Sequence, residues 1–256
     1  LEEPITYKLA EERVEPLVRL STSGPALLKV EVRTASLLER INRFVVLAET
    51  HLGQIRLYLR NTGRLRDLIQ RGSTALFIPN KRVKTDGLLI GVMIDEERAA
   101  IVDPILQTSA FEEAWRRGLI PWLEGWRIAK REYNFEDSRI DYFIVKDRSR
   151  GLLEAKSAVY HSEDNYCMYP DTISTRGRRH VEALIRARNK HYQSFIVFIS
   201  AHPLCRRFKP CSEADPLLRA LLLKARRLGV KLYSLKMHLK VDGEIVLDSP
   251  AIPVML

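Results

Sequence analysis

Cysteine is scarce in this chain: Cys167, Cys205 and Cys211 are the only three in 256 residues. An odd count cannot form a complete disulfide framework within one chain, which excludes the small secreted scaffolds that depend on one. Cys205 and Cys211 are close enough in sequence to pair, although ordinary thiols are the simpler expectation. The segment from His202 to Cys211 carries zinc-type side chains without zinc-type spacing or a fourth ligand, so no zinc site is expected there. No apolar run approaches the roughly 20 residues that a membrane-spanning helix needs. No secretory pattern opens the sequence, and there is no internal repeat or low-complexity tract. These absences predict a soluble, cytoplasmic protein with no membrane partner.

What is present is charge of one sign. Lysine and arginine number 42 against 32 acidic residues, a formal net charge of +10. Such an excess attracts polyanions whatever the fold, and nucleic acid, DNA or RNA, is the expected partner. Hydrophobic residues make up 46% of the chain, enough for one large core or two modest ones. The change of texture near Asp95 predicts two domains, residues 1–95 and 96–256.

Residues 1 to about 24 show no extended period of either kind and read as an extension packed onto a domain. From Ala26, short apolar runs follow one another: ALLKVEVRTA, FVVLAET, GQIRLYLR, STALFIP and GLLIGVMI. Turn signals separate them at Leu52–Gly53, Asn61–Gly63 and Arg71–Gly72. Such spacing predicts a small β-barrel, an oligonucleotide-binding (OB) fold or an SH3-like barrel. After Asp95 the pattern becomes mixed α/β. One helix is expected over SAFEEAWRRGLI, capped by Ser109. A second runs from about Ser174 to Asn189 with Val181, Leu184 and Ile185 as its apolar stripe. A third has Asp215 as N-cap, Pro216 at the first helical position and Gly229 as its stop. SFIVFIS is uniformly apolar, as in a strand covered on both faces, and KLYSLKM predicts another strand.

One stretch is not explained by packing. RIDYFIV and GLLEAKSAV read as neighbouring strands, yet they carry Asp141, Glu154 and Lys156. Side chains alternate along a strand, so Glu154 and Lys156 share one face while Leu153, Ala155 and Ser157 take the other. In the right register Asp141 faces Glu154. Two converging carboxylates repel each other unless a divalent cation lies between them, and Mg²⁺ or Mn²⁺ suits oxygen ligands. A lysine beside them can orient water or offset negative charge. Those parts suit phosphodiester hydrolysis. The plainer alternative is a solvated strand face with a surface ion pair.

Five ordered blocks carry a resemblance: RINRFVV (Arg40 to Val46), NTGRLRDL (Asn61 to Leu68), SRIDYFI (Ser138 to Ile144), LEAKSAV (Leu153 to Val159) and YPDTISTRGRRHVEAL (Tyr169 to Leu184). Over nearly everything after Ala26 the chain resembles the sugar fermentation stimulation protein A (SfsA) family. The resemblance implies an α/β protein with an all-β N-terminal part: an OB-fold-like barrel, then a nuclease-like domain of the PD-(D/E)xK class with a mixed sheet. It also implies that Asp141, Glu154 and Lys156 are the D…ExK signature, with Asp141 and Glu154 as the metal ligands and DNA as the partner. Family members have been regarded as DNA-binding regulators of sugar metabolism, so a binder without turnover is the alternative to a nuclease, and an RNA binder is a third. Glu132 corresponds to an acidic residue upstream of the signature aspartate that would supply a further metal or water contact. The family usually carries a glycine shortly before SRID, where this chain has Phe135, Glu136 and Asp137. Glu136 and Asp137 compete with Glu132 as an extra acidic ligand, although solvated turn carboxylates describe both more simply.

The last block has its own physical logic. Arg176, Arg178 and Arg179 fall at the start of a helix, where they oppose the helix dipole and so argue for an external anion such as phosphate. His180 either contacts that phosphate or a metal-bound water, or is a hydrogen-bonded structural histidine. Asp171 is expected to start the helix as a turn or cap residue. In an OB barrel, Arg40, Asn42, Arg43, Arg60 and Arg64 would line a groove tracking a nucleic-acid backbone, with Phe44 or Tyr58 as stacking surfaces. Arg139, inside SRIDYFI, joins that nucleic-acid-binding set. Aromatics in alternating strands are more often core, and Asn61 and Gly63 are expected to serve a turn that needs positive φ.

Overall fold

The computed structural model describes residues 24–80 and 83–256. The extension expected at the start of the chain lies outside them, apart from Gly24. Strands β1 (Ala26–Lys29), β2 (Arg33–Asn42), β3 (Val45–Thr50), β4 (Gly53–Tyr58), β5 (Thr74–Pro79) and β6 (Gly87–Met93) follow the apolar runs of the sequence. Their alternation places Ala35 and Leu37, Val46 and Ala48, and Leu57 on one buried face, each large aliphatic contributing about 1.5–3 kcal/mol by its removal from water. The strands pair in the order β4-β3-β2-β5-β6, and a parallel pairing of Leu57 with Gly87 and Tyr58 with Leu88 joins β4 back to β6. This closes a five-stranded barrel of the OB type, and closure removes the free edges an open sheet would present.

β7 (Arg98–Ile101) leaves the barrel and pairs antiparallel with a later strand, so one continuous sheet runs from the barrel into the second half of the chain. Helix α1 (Pro104–Arg116) comes next. Ser109 lies inside this helix and does not cap it. The N-cap is Asp103, whose carboxylate accepts from the Leu106 N–H at 2.7 Å, and Pro104 occupies the first helical position. The remaining elements are β8 (Arg127–Phe135), β9 (Ser138–Lys146), β10 (Ser149–Ala158), β11 (Tyr160–His161), β12 (Tyr166–Tyr169), α2 (Thr175–Asn189), β13 (Gln193–Ser200), β14 (Arg207–Pro210), α3 (Pro216–Arg227), β15 (Lys231–Lys240) and β16 (Glu244–Ser249).

The second half is a mixed sheet in the order β15-β13-β10-β9-β8, parallel among the first three strands and antiparallel beyond. β13, the SFIVFIS run, is central. Its Phe195, Val197 and Ile199 pack with the barrel side and α1, while Ile196 and Phe198 pack beneath α2 and α3. Burial on both faces is why the run shows no alternation. Helices α2 and α3 begin at Ser174 and Asp215 as the sequence predicts, and Gly229 has φ +85° just past α3. A small second sheet, β11-β12-β14, lies beside this layer. It is fastened by a disulfide between Cys167 and Cys205, while Cys211 is a free buried thiol. The expectation of ordinary thiols is therefore corrected for Cys167 and Cys205, as is the possible pairing of Cys205 with Cys211: the partner lies 38 residues away in sequence and is brought in by β12. Among the described residues no helix is long and apolar enough to cross a membrane.

Candidate active site

β9 and β10 form an antiparallel hairpin whose ladder runs from Ser149↔Lys146 to Leu153↔Tyr142 and then stops. Beyond that point two backbone donors turn to side chains. The Asp141 N–H donates to Glu154 Oε2 at 3.2 Å, and the Ala155 N–H donates to Asp141 Oδ2 at 2.8 Å. The splay between the strands thus makes room for two carboxylates and gives each a backbone anchor. Lys156 Nζ donates to Glu154 Oε1 at 2.5 Å. The expected convergence of Asp141, Glu154 and Lys156 is present in the geometry.

Glu154 is buried, and burial alone would favour its neutral form, but Lys156 and His180 outweigh this and hold its carboxyl below the usual range. Burial likewise opposes the Lys156 ammonium, yet Glu154, with Tyr169 and Asp141, leaves it more firmly protonated than an ordinary lysine. Asp141 behaves in the opposite way. Burial first, and the neighbouring Glu154 charge second, push it up to about 7. One carboxylate is neutralised by protein and the other is not.

His180 is buried behind Glu154. Its Nδ1 meets Glu154 Oε1, and Arg176 Nε donates to its Nε2 at 3.4 Å. An accepting Nε2 leaves the proton on Nδ1, so the ring donates to Glu154 and fixes that carboxylate. Of the two roles open to His180, the hydrogen-bonded one matches this position.

A cleft of about 470 Å³ opens from Lys156 between the barrel and the start of α2. Its walls include Arg43, Arg60 and Thr62 on the barrel side and Ser157, Tyr169 and Arg176 on the other. Ser157 escaped the sequence reading, which placed it on the face opposite Lys156. Its hydroxyl is buried with no hydrogen-bond partner. Nothing in the local pattern marks it, because β10 ends there and Ala158 closes the strand.

The other expected site residues divide by their partners. Arg60 makes a two-pronged contact with Asp103, at 2.5 and 2.8 Å, beneath the barrel rim. Arg40 donates to the carbonyls of Gly63, Arg64 and Arg43 at 2.8, 2.6 and 2.9 Å. Asn42 accepts from the Phe44 N–H at 2.9 Å. Arg40 and Asn42 hold the barrel's own loops, and Arg60 ties the barrel to the start of α1. Arg43 sits over the exposed Phe44 ring, and Arg64 is exposed. Arg178 reaches Asp215 at 3.5 Å, whereas Arg179 is exposed beside the groove between α2 and α3. Glu132 and Arg139 pair with each other at 2.8 Å, with side chains about 60% exposed; neither is brought into the cleft.

Three local expectations change. Asp171 does not cap α2: its Oδ2 accepts from the Leu65 N–H at 3.0 Å and ties the barrel loop to the second half. Gly63 is not at positive φ; a Cβ there would lie 2.4 Å from the Asp171 carboxylate, so close approach is what requires glycine. Asn61 does shape its turn, accepting from the Gly63 N–H at 2.8 Å. Glu136 has φ +51° and pairs with Arg186 and Lys190. Asp137 pairs with Arg186 as well.

Among the described residues no three His, Cys, Asp or Glu side chains form a ready metal cage. Asp141 and Glu154 are instead the kind of donor set used by a hard cation that keeps several waters. Asp141 Oδ1 accepts no hydrogen bond among the described residues, and its raised pKa is the electrostatic strain that a cation would relieve. The residues fit Mg²⁺ or Mn²⁺ better than zinc.

A closed OB-type barrel continuous with a mixed α/β layer that gathers Asp141, Glu154 and Lys156 defines the class of protein. Comparisons with known proteins agree with that class. A family model described as the SfsA N-terminal OB domain matches residues 38–102, and one described as the sugar fermentation stimulation protein RE domain matches residues 105–243. The chain is 39% identical over 209 residues to a sugar fermentation stimulation protein homolog of Pyrococcus furiosus, covering 82% of this chain and 90% of that one. A homolog from Methanothermobacter thermautotrophicus is 31% identical, covering 82% and 88%. The structure of Pyrococcus furiosus SfsA in complex with Ca²⁺ superposes with a TM-score of 0.85 at 36% identity, covering 91% of this chain and all of that one. The chain belongs to the sugar fermentation stimulation protein family.

Proposed function

We propose that this protein binds DNA in the cleft between its two parts and hydrolyses a phosphodiester bond there with the help of Mg²⁺ or Mn²⁺. The observation that carries the reading is the placement of Asp141, its pKa raised, against Glu154 and Lys156, with Lys156 lining a cleft that Arg43, Arg60 and Arg176 also line. Asp141 and Glu154 would hold the cation. When bound, it would polarise the phosphoryl oxygen and acidify a water. Lys156 keeps its proton and presents positive charge toward the reacting phosphate. His180 holds Glu154 in place from behind, and Arg43 and Arg176 bind the flanking backbone. The Ca²⁺ in the Pyrococcus furiosus protein, another oxygen-seeking cation, supports this choice of metal class.

The test is incubation of the purified protein with single-stranded and duplex DNA in Mg²⁺ or Mn²⁺, beside Glu154→Ala and Lys156→Ala. Products from the parent that fall by about 10³-fold in both variants are expected, the scale of losing a principal electrostatic group. Equal cleavage by parent and variants would remove the proposal. DNA retention without products from any of them would replace catalysis with a binding role.

A further inference from the structure

The cleft that opens from Lys156 has two kinds of wall, and phosphate chemistry accounts for one of them. Arg43, Arg60 and Arg176 line it with Lys156, and the only carboxylate among the described lining residues, Asp171, is taken by the Leu65 N–H at 3.0 Å. Cations answer phosphates and need no apolar surface beside them. Yet Tyr160, Met168, Tyr169 and Ile173 line the same space.

Ile173 is the least expected of these. It is 67% exposed, in a loop fixed on both sides of it: Asp171 holds Leu65, and the Ser174 N–H donates to Asp215 Oδ2 at 3.0 Å. A branched apolar side chain held in water by an anchored loop contributes little burial to the fold. Tyr169 is also fixed in place. Its hydroxyl meets Ser174 Oγ at 3.2 Å, and Gly177 leaves the necessary room, because a Cβ there would lie 2.5 Å from that hydroxyl. Tyr160, in β11, is half-buried. Size then limits what can enter. A cleft of about 470 Å³ has the room of a small-molecule pocket, whereas a DNA duplex is roughly 20 Å across with grooves about 12 Å wide. The Lys156 side chain is 12% exposed and is reached from inside the cleft, so a phosphodiester meets it where its strand has left the duplex.

We propose that the cleft takes an unpaired strand, with its phosphates on Arg43 and Arg176 and its bases against Tyr160 and Ile173. This names the substrate class of the DNA reading above and rests on that reading. A cationic groove with flat or apolar surfaces for the bases holds single strands without needing their sequence, because every base has a face to bury. A duplex would be engaged only at a flap, a gap or a melted end, where one strand is free.

Fluorescence anisotropy with the full chain in Ca²⁺ tests this, using a labelled 12-nucleotide strand alone and in a blunt duplex, each checked afterwards for integrity. The parent should bind the single strand at least tenfold more tightly than the duplex at equal salt. Ile173→Ser and Tyr160→Leu should each weaken single-strand binding about fivefold, with duplex binding and the salt slope unchanged. Ile173 is exposed, so its replacement leaves the fold intact. A strand of abasic residues keeps every phosphate, and it should bind the parent at least tenfold more weakly than the normal strand. Equal or tighter binding of the duplex would overturn the proposal, as would full single-strand affinity in both variants or in the abasic strand. Binding that favours the duplex, together with cleavage lost in Glu154→Ala, would overturn this inference and leave the nuclease reading standing. Absence of binding to either form would overturn both.

Discussion

Asp103 and Asp141 are both drawn away from water, and they differ in what compensates them. Asp103 is fully buried and fully answered: Arg60 grips both oxygens and the Leu106 N–H adds a third bond. Asp141 has one backbone donor and a second carboxylate for a neighbour. A buried acid with complete internal partners is a structural element, because removing any partner exposes the cost of desolvation. A buried acid left partly uncompensated is a candidate functional site. The same contrast separates the arginines. Arg40 and Arg60 are engaged by acceptors of the chain itself, whereas Arg176 and Arg179 at the start of α2 are exposed.

The largest expected effect falls on the answered member. Arg60→Ala should destabilise the fold by about 3–5 kcal/mol, the scale of stranding one charge of a buried pair. Urea unfolding would register this as a lower midpoint at unchanged slope. A loss below ~1 kcal/mol would return Arg60 to the nucleic-acid-binding set and erase the distinction.

The unanswered member should respond in the opposite direction. Asp141→Asn should raise stability by about 1–2 kcal/mol at neutral pH in the presence of a chelator, since it removes a charge the fold does not compensate. The folded chain holds the Asp141 proton up to about pH 7, whereas the ordinary aspartate value is 3.8. Between those values the folded state binds more protons than the unfolded one, so the parent should lose stability as pH rises through this window. Thermal unfolding of parent and variant from pH 4 to 8 would show curves that diverge upward in pH. Parallel curves would mean that Asp141 is as well compensated as Asp103.

The smallest effects on stability should come from the exposed arginines. Arg176→Ala and Arg179→Ala should each change it by no more than ~0.5 kcal/mol. Each should nonetheless reduce DNA affinity and lower the salt dependence of binding by about one phosphate contact. Binding titrations at several salt concentrations would separate this from a fold defect. An unchanged salt slope in both variants would remove α2 from the DNA-binding surface.

Much of the molecule is legible from local pattern. The barrel strands, the double-sided β13, the caps at Ser174 and Asp215, and the shared face of Glu154 and Lys156 all follow from periodicity and short-range hydrogen bonding. The misplaced α1 start has a physical explanation, because Asp103 serves as a cap and as the partner of Arg60, 43 residues away. The roles of Asp171 and Gly63 were hidden in the same way: each is explained by the other, across the junction of the two parts. Cys205 looked nearest to Cys211 along the chain, but strand pairing brought Cys167 to it instead.

Residue order alone determined which side chains share a strand face or a helix turn, since those relations depend on fixed rises and periods of the backbone. It therefore determined the ingredients of the D…ExK cluster and the family. Tertiary structure decided which charges are neutralised from within and which remain available. Charge compensation depends on distance through a low-dielectric interior, and that distance is not encoded in the spacing of residues along the chain.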